Sequence, residues 1–163
     1  MKSKEPLIIT SFSREQSDIK RLIGTVFLDR EMTVVDLHTK RISPYRYDET
    51  DRSDNFLAIA EEMTKRDVIV FATPVYWYAM SGPLKQFFDR LTDLITVRKD
   101  LGRALKGAKF YLLVCGTDEA LPVGFEEPFR LTADYFDASF VKSLYWQVKP
   151  NESCTLQVSD FFI

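Results

Sequence analysis

The sequence predicts a single α/β domain built on a five-stranded parallel sheet, and three observations lead to this prediction. Short apolar runs alternate along the chain with segments whose apolar residues recur every three or four positions. The run at residues 68–72 is apolar throughout, as expected of a central strand that helices cover on both faces. The chain has 163 residues, the size of one domain with a core of several packed layers. We therefore expect one domain over residues 1–163, with a C-terminal tail at 151–163.

The apolar runs predict the strands, and the apolar residues that recur every three or four positions predict the helices. Strands are predicted at residues 7–10, 33–37, 68–72, 109–115 and 138–148. Helices are predicted at residues 19–27, 55–66 and 129–137. A further helix begins at Ser81, because Ser is a favoured cap residue and Pro83 is tolerated in the first turn, and its apolar stripe extends to Leu94. Residues 38–54 are polar and contain a proline, so we expect a loop there.

Strands that alternate with helices form a parallel sheet through right-handed crossovers. Five such strands are compatible with the order 2-1-3-4-5 of a flavodoxin-like fold, with helices on both faces, or with a small Rossmann variant. In both arrangements ligands bind beyond the carboxyl ends of the strands, at the point where the strand order reverses. For the flavodoxin-like order this point lies between strands 1 and 3, so the loops to search are residues 11–17 and 73–81.

A doubly wound domain of this kind normally ends in a helix that covers the neighbourhood of the first strand. Only 13 residues follow Pro150, and they show no amphipathic helical pattern. We therefore expect the final helix to be absent, and the uncovered surface to be covered either by a partner subunit or by the tail at residues 155–158. A homodimer or homotetramer is the expected assembly.

The composition excludes several classes of function. Lys and Arg number 22 against 24 Asp and Glu, and this slightly acidic balance argues against nucleic acid as the main partner, because a phosphate backbone demands a basic face. No apolar run approaches the ~20 residues of a membrane span, and none long enough for a signal peptide precedes Leu7, so we expect a cytoplasmic protein. With one histidine, His38, and two distant cysteines, Cys115 and Cys154, we expect no disulfide framework and no zinc or iron–sulfur site. His38 is interpreted as a surface loop residue, so any chemistry must come largely from a cofactor.

Three consecutive aromatic residues, Tyr76, Trp77 and Tyr78, stand just past the end of the predicted third strand. Aromatic faces and a thioether such as that of Met80 suit a flat, polarizable heterocycle, and backbone N–H groups can reach its polar edge. The same residues could equally form a packing patch or a subunit contact. Their chemistry alone does not decide between the two interpretations.

The stretch from Thr73 to Arg90 carries a specific resemblance. It contains Pro-Val-Tyr-Trp, then Ser, then Leu-Lys-Gln-Phe-Phe-Asp-Arg. This resembles the Pro-x-Tyr-Trp…Ser…Leu-Lys-x-Phe-x-Asp-Arg motif of the NAD(P)H-dependent FMN reductase family, which belongs to the flavodoxin-like superfamily. The resemblance implies that the isoalloxazine ring of FMN is lined by Pro74, Val75, Tyr76, Trp77, Tyr78 and Met80. It also implies that Lys85, Asp89 and Arg90 act in helix packing and subunit contacts rather than in catalysis.

The loop after the first strand offers hydroxyl groups and a guanidinium that could bind the FMN phosphate. Its candidate residues are Ser11, Ser13, Arg14 and Ser17. The loop departs from the Gly-Ser-x-Arg pattern of the family, because Thr10 stands where glycine is common and one residue is inserted before the arginine. Glu15 and Asp18 also place negative charge where the phosphate would sit. An alternative that needs no ligand is a capping box over residues 13–16.

A third loop follows the fourth strand. In proteins similar to this family the equivalent turn contacts the pyrimidine edge of the flavin through backbone groups, which implies the same role here for Gly116, Thr117 and Asp118. A simple turn accounts for these residues as well. Some relatives carry a cysteine cluster between strand 2 and helix 2, but residues 43–48 contain no cysteine, so no iron–sulfur centre is expected. Tyr45 and Tyr47 of this segment could shelter the active site of a neighbouring subunit.

The resemblance implies an FMN-dependent oxidoreductase that passes electrons from NAD(P)H to a small-molecule acceptor: a quinone, a free flavin, a nitro compound or an azo compound. The chain lacks a Gly-x-Gly-x-x-Gly motif, so NAD(P)H is expected to bind transiently over the flavin. No residue is assigned as a catalytic acid or base. One alternative is a flavodoxin-type electron carrier, although such carriers are strongly acidic and the net charge here is -2. Another is a binding or assembly module that has kept the fold and lost the cofactor.

Overall fold

Five strands form one sheet in which every neighbouring pair is parallel. The computed structural model describes residues 2–12, 17–28, 30–47, 53–154 and 161. The strands are β1 (Leu7–Thr10), β2 (Thr33–Asp36), β3 (Val68–Pro74), β4 (Lys109–Gly116) and β5 (Ser139–Gln147). Their order is β2-β1-β3-β4-β5, which confirms the flavodoxin-like prediction over the Rossmann variant.

Short helices connect the strands. They are α1 (Asp18–Val26), α2 (Phe56–Thr64), α3 (Gly82–Arg90), α4 (Asp93–Thr96), α5 (Lys99–Ala104) and α6 (Glu127–Tyr135), with a 3₁₀ turn at Leu37–Thr39. In the ranges given above, no helix is long and apolar enough to cross a membrane. The prediction of a single helix from Ser81 to Leu94 was wrong in length, because α3 ends at Arg90 and the chain turns before α4 begins.

Helix α5 is not predicted by the sequence, since six residues give too few turns for a periodic pattern. It packs closely against α4. A β-carbon on Gly102 would lie only 2.4 Å from the carbonyl oxygen of Leu94, so this close approach requires glycine. Helices α4 and α5 thus form one closely packed unit that covers part of one face of the sheet.

The larger part of the core lies between the sheet and helices α2 to α6. Phe71, on the central strand β3, is fully buried at its centre. Its ring centroid lies 5.0 Å from that of Phe88 on α3 and 5.3 Å from that of Phe110 on β4. It also lies 5.8 Å from the ring of Phe129 on α6. Aromatic packing of this kind joins helices α3 and α6 to strands β3 and β4.

The opposite face of the sheet is covered by α1 and by part of the tail. Ile19 and Leu22 of α1 are buried against Val70 of β3. Phe161 is 3% exposed, and its ring centroid lies 5.3 Å from that of Tyr111 on β4. No helix follows β5 within the residues that the structure describes. One described tail residue, Phe161, therefore adds to the cover that α1 gives this face, whereas the predicted cover at residues 155–158 lies outside the described residues.

A buried ion pair joins the long loop after β2 to α3. The guanidinium of Arg90 is fully buried, contacts both Asp54 and Asp93, and donates to the carbonyl of Ser43 at 3.0 Å. It lies over the ring of Phe56, 4.8 Å from the centroid. Burial alone would raise the pKa of the Asp54 carboxyl, but hydrogen bonds from the Ser43 N–H group and from Arg90 outweigh burial, so its pKa lies below its ordinary value.

The substitution Asp54→Asn is expected to lower the free energy of unfolding by about 3 kcal/mol, because Arg90 would stay buried with part of its compensating charge removed. Since the pKa of Asp54 is depressed in the folded state, its stabilising contribution is fully present above the unfolded pKa of about 4. That contribution is lost as the pH falls through the folded value. Urea unfolding of both proteins at about pH 7 and about pH 3 should show the difference in stability shrinking toward acid.

Asp89→Asn is the matched control for this measurement. Asp89 pairs with Lys85 on the exposed side of α3, and an exposed pair of this kind contributes about 0.5 kcal/mol or less. Equal losses of stability in the two variants, or a difference that stays constant with pH, would contradict the role given to the buried pair.

Candidate functional site

The three loops that follow β1, β3 and β4 meet at the carboxyl edge of the sheet. They enclose a cavity of about 410 Å³, here called the main cleft. It is lined by Ser11, Ser17, Asp18, Ile19, Pro74, Val75, Tyr76, Cys115, Gly116, Thr117 and Val148. A second cavity of about 200 Å³, the side cleft, is lined by Val75, Trp77, Tyr78, Gly116, Thr117, Asp118 and Tyr145. Because the two cavities share Val75, Gly116 and Thr117, they adjoin along one edge.

The structure brings most of the predicted site residues together in these two clefts. Ser11, Ser17 and the residues from Pro74 to Tyr76 line the main cleft, while Trp77, Tyr78 and Asp118 line the side cleft. Ser13 and Arg14, together with the alternative capping box at 13–16, lie outside the described residues.

Met80 lies apart from the other predicted ring contacts. It is 8% exposed, belongs to the main core and lines a different groove, between α3 and α6. The physical reason is the tight turn just before it. The chain folds back at Ala79, so the next side chain enters the core instead of reaching the cleft.

Trp77 and Tyr78 are the two central residues of a strained turn that runs from Tyr76 to Ala79. The Tyr76 N–H group donates to the Ala79 carbonyl at 2.9 Å, and the Ala79 N–H group donates back to the Tyr76 carbonyl at 3.1 Å. Trp77 and Tyr78 both have positive φ, at 50° and 65°. Turns with two left-handed central residues favour Asn and Gly, and bulky residues adopt this conformation at a cost in free energy. Strain at two adjacent aromatic residues points to a functional requirement.

This strain holds the aromatic rings outside the core. Trp77 is 93% exposed and Tyr78 is 71% exposed, so neither is packed against the part of the chain that the structure describes. Packing within the chain, one of the interpretations left open by the sequence, does not account for their position. A flat ligand or another molecule is what such exposed faces can bind.

Main-chain and buried hydroxyl contacts fix the base of this turn. The Val75 N–H group donates to the Cys115 carbonyl at 2.8 Å. The hydroxyl of Thr73 is fully buried; it accepts from the Ser81 N–H group at 2.9 Å and donates to the Pro74 carbonyl at 2.9 Å. The turn is therefore tied to β4 on one side and to the start of α3 on the other.

The end of the main cleft at α1 has the groups that an anion needs. Ser11 is 5% exposed, and Ser17, the residue before the first turn of α1, is 6% exposed. Within the residues that the structure describes, the Ser17 hydroxyl has no hydrogen-bond partner. A buried hydroxyl without a partner beside the N–H groups of a helix N-terminus fits a phosphate oxygen. Phe12 stabilises the loop by donating its N–H group to Asp36 at 3.0 Å.

The third loop, after β4, is held by hydrogen bonds from β5 and from the residue that follows it. Val148 donates its N–H group to the Gly116 carbonyl at 2.7 Å, and the Tyr145 hydroxyl donates to the Asp118 carbonyl at 2.8 Å. Gln147 donates to the Thr117 carbonyl at 3.3 Å. The carbonyl groups are thereby occupied. Among the described residues, the N–H groups of Thr117 and Asp118 find no acceptor, so they are available to a ligand.

Gly116 forms a notch between the two clefts. A β-carbon at this position would lie 2.8 Å from the Tyr145 hydroxyl and 3.2 Å from Cγ2 of Val75, closer than ordinary contacts allow. The sequence does not single out Tyr145, because the aromatic residues of β5 carry no sign of which one faces the cleft. Burial, followed by the charge of Asp118, raises the pKa of the Tyr145 hydroxyl, which stays protonated and donating.

Among the described lining residues, the acidic side chains are Asp18 in the main cleft and Asp118 in the side cleft. Burial, reinforced by the nearby Asp18 carboxylate, raises the pKa of the Cys115 thiol to about 12, so this thiol stays protonated and unreactive. His38 lines a separate cavity with Lys40 and Gly82. In the part of the chain that the structure describes, His, Cys, Asp and Glu form no group that could hold a metal ion.

The remaining predicted residues lie outside both clefts. Lys85 and Asp89 pair on the surface of α3, and Arg90 forms the buried ion pair, so all three have structural surroundings. Tyr45 and Tyr47 contact each other edge to face with centroids 5.3 Å apart, and Tyr47 is 89% exposed. Their predicted role beside a neighbouring subunit stays a prediction.

Comparisons with known proteins agree with this geometry. A family model described as NADPH-dependent FMN reductase matches residues 16–149. A Bacillus subtilis (strain 168) protein named as an NAD(P)H-dependent FMN-containing oxidoreductase is 31% identical over 67 residues. That match covers 40% of this chain and 37% of the relative, so it spans little more than a third of the relative's length.

Solved structures share the fold. The Trp repressor binding protein from Bacillus subtilis has a TM-score of 0.73 at 20% identity, covering 90% of this chain and 89% of that chain. The general stress protein 14 of Treponema denticola, in complex with FMN, has a TM-score of 0.59 at 23% identity. The likeness to it covers 86% of this chain and 84% of that chain.

Replacing the second left-handed residue by glycine is expected to stabilise the protein. Tyr78→Gly should raise the free energy of unfolding by about 1 kcal/mol, because the relief of the left-handed strain exceeds the entropy lost by glycine. Urea unfolding measures the change. Tyr47→Gly is the control, since Tyr47 is similarly exposed but does not have positive φ, and it should lose stability. If Tyr78→Gly also lost stability, the turn would not be strained.

Proposed function

The chain belongs to the NADPH-dependent FMN reductase family, and we propose that it is an oxidoreductase that holds FMN in the main and side clefts. In this proposal NAD(P)H supplies the electrons, and a small-molecule acceptor takes them: a quinone, a free flavin, a nitro compound or an azo compound. The observation that carries the proposal is the strained aromatic turn opposite the Gly116 notch. Together they make an open slot for a flat ring at the carboxyl edge of the sheet.

The residues of the clefts fit the parts of FMN. Val75 and Tyr76 supply apolar and aromatic walls for the isoalloxazine ring. The N–H groups of Thr117 and Asp118 can donate to the oxygen atoms of its pyrimidine edge. At the other end of the main cleft, the Ser17 hydroxyl and the N-terminus of α1 suit the phosphate.

The chain's own residues bind and orient, and they do not transfer protons in this proposal. Once bound, FMN would supply the redox chemistry that couples oxidation of NAD(P)H to reduction of the acceptor. The protonated Cys115 thiol and the distant His38 leave the chemistry to the flavin. Trp77, which is almost fully exposed at the mouth of the side cleft, offers a face on which the nicotinamide or the acceptor can stack.

A homodimer through the groove between α3 and α6 is part of this proposal. The groove encloses about 420 Å³ and is lined mainly by apolar side chains, among them Met80 and Phe88. Ile95, Leu131 and Tyr135 at its rim are 37%, 55% and 68% exposed. Exposed apolar side chains around a groove are typical of a surface that a partner covers.

The binding of FMN can be tested with a substitution at the notch. Gly116→Ala is expected to weaken FMN binding by about tenfold or more, because the new β-carbon would push Tyr145 and Val75 into the slot (about 1.4 kcal/mol for each tenfold step). Quenching of tryptophan fluorescence during FMN titration measures the affinity. Gly82→Ala is the control, since a β-carbon there meets no atom within 4 Å.

The same preparations test the activity. The wild-type protein should oxidise NADPH when FMN and menadione are present, and Gly116→Ala should need more FMN to reach the same rate. FMN binding without NADPH oxidation would favour the electron carrier, and a protein that takes up no FMN would favour the module that has lost its cofactor. Either result would contradict the proposed enzyme.

Leu131→Arg is expected to convert a wild-type dimer into a monomer, because it places a charge in the apolar groove between α3 and α6. Size-exclusion chromatography with light scattering at micromolar concentration measures the mass. Val123→Arg changes a residue that is fully exposed and lies outside this groove, so its mass should equal that of the wild type. A monomeric wild type would contradict the proposed interface.

A further inference from the structure

We propose that Tyr145 is a positioning residue that raises the reduction potential of the bound flavin, because its hydroxyl fixes the peptide groups that meet the pyrimidine edge of the ring. This inference rests on the proposed function, since it assumes that FMN occupies the clefts. Tyr145 acts through the loop after β4, and its side chain transfers neither protons nor electrons.

Two side chains of β5 hold successive carbonyl groups of this loop. Gln147 donates to the Thr117 carbonyl at 3.3 Å, and the Tyr145 hydroxyl donates to the Asp118 carbonyl at 2.8 Å. The first distance is long for an N–H···O hydrogen bond, whereas the second is ordinary for an O–H···O hydrogen bond. Tyr145 therefore makes the stronger of the two contacts.

A contact that fixes a carbonyl group also fixes the N–H group of the next residue. In a trans peptide the two groups lie in one plane and point in opposite directions. Because the Thr117 carbonyl points toward Gln147, the N–H group of Asp118 points away from Gln147. The Asp118 carbonyl, held by Tyr145, fixes the same residue from its other side. Asp118 therefore cannot turn its N–H group without breaking one of these two hydrogen bonds.

The Tyr145 side chain is a rigid support for the loop. It packs against the main core and lines the side cleft. Its hydroxyl lies 2.8 Å from the position that a β-carbon on Gly116 would occupy, so it spans the gap between the notch and the Asp118 carbonyl. Burial, followed by the charge of Asp118, raises the pKa of this hydroxyl, which therefore remains a donor at neutral pH.

The two oxidation states of FMN respond differently to the N–H groups of Thr117 and Asp118. Reduction adds electron density to the pyrimidine edge of the flavin, and hydrogen bonds near the ring nitrogens tune its potential. A hydrogen bond to a charged acceptor is about twice as strong as one to a neutral acceptor. N–H groups held in place therefore bind reduced FMN more tightly than oxidised FMN, which raises the potential. The exposed Asp118 carboxylate opposes this effect, but water and salt screen it.

Strand β5 also supplies a matched control. Ser143 lies two residues before Tyr145, on the same face of the strand, and its hydroxyl donates to the Glu126 carboxylate. Neither Ser143 nor Glu126 lines a cleft. Ser143→Ala therefore removes a hydroxyl hydrogen bond from the same face of the same strand, away from the flavin.

Measurements on the wild type, Tyr145→Phe, Gln147→Leu and Ser143→Ala test the proposal. Tryptophan quenching gives the affinity for oxidised FMN, and a redox titration against a dye of known potential gives the midpoint potential of the bound flavin. Tyr145→Phe keeps the ring and should weaken reduced FMN about tenfold more than oxidised FMN, which lowers the midpoint potential by about 30 mV for two electrons. Gln147→Leu should shift the potential in the same direction by a smaller amount, and Ser143→Ala should leave it unchanged.

Several results would overturn the proposal. An unchanged potential in Tyr145→Phe would do so, even if both oxidation states bound more weakly by the same factor, because that is what a purely structural role predicts. An equal shift in Ser143→Ala would place the effect in β5 as a whole. Circular dichroism shows whether each variant is folded, and if Tyr145→Phe does not fold, an unchanged potential in Gln147→Leu is the overturning result. A wild type that binds no FMN would instead overturn the proposed function, and this inference with it.

Discussion

The aromatic turn and the glycine notch face each other because β3 continues to pair with β4 beyond its last regular residue. The Val75 N–H group donates to the Cys115 carbonyl at 2.8 Å, directly after the register pair of Pro74 with Cys115. This contact brings Cγ2 of Val75 to 3.2 Å from the place where a β-carbon on Gly116 would stand. One main-chain hydrogen bond thus sets the width of the slot, and the strained turn, the notch and Tyr145 are arranged around it.

The molecule separates its stable parts from its functional parts. In the core the ordinary rules hold: Arg90 is buried but paired, and Phe71 contacts aromatic rings from three other elements. At the cleft the backbone departs from these rules, because two adjacent bulky residues, Trp77 and Tyr78, have positive φ. Local violations that cluster at one edge of a regular fold are what a binding site requires.

Most of the fold follows from periodicity, but the site follows only in part. The apolar run of β3 and the helical spacing of α1 are local patterns, so the sequence predicts them well. Spacing does not predict Met80, because a tight turn that places Trp77 in solvent directs the next side chain into the core. Nor does it predict Tyr145, whose role depends on its contact with a carbonyl 27 residues away in the chain. Long-range contacts of this kind are absent from local patterns.

The two ends of the cleft are formed by different kinds of groups. The ring end is made of main-chain contacts and a glycine that no side chain can replace without displacing Tyr145 or Val75. The other end, at the start of α1, combines a buried Ser17 hydroxyl that has no partner among the described residues with the acidic residue Asp18. In the proposed function the first end would hold the ring and the second would meet the phosphate, so the shape of the ring site is set by strand pairing and that of the phosphate site by a loop.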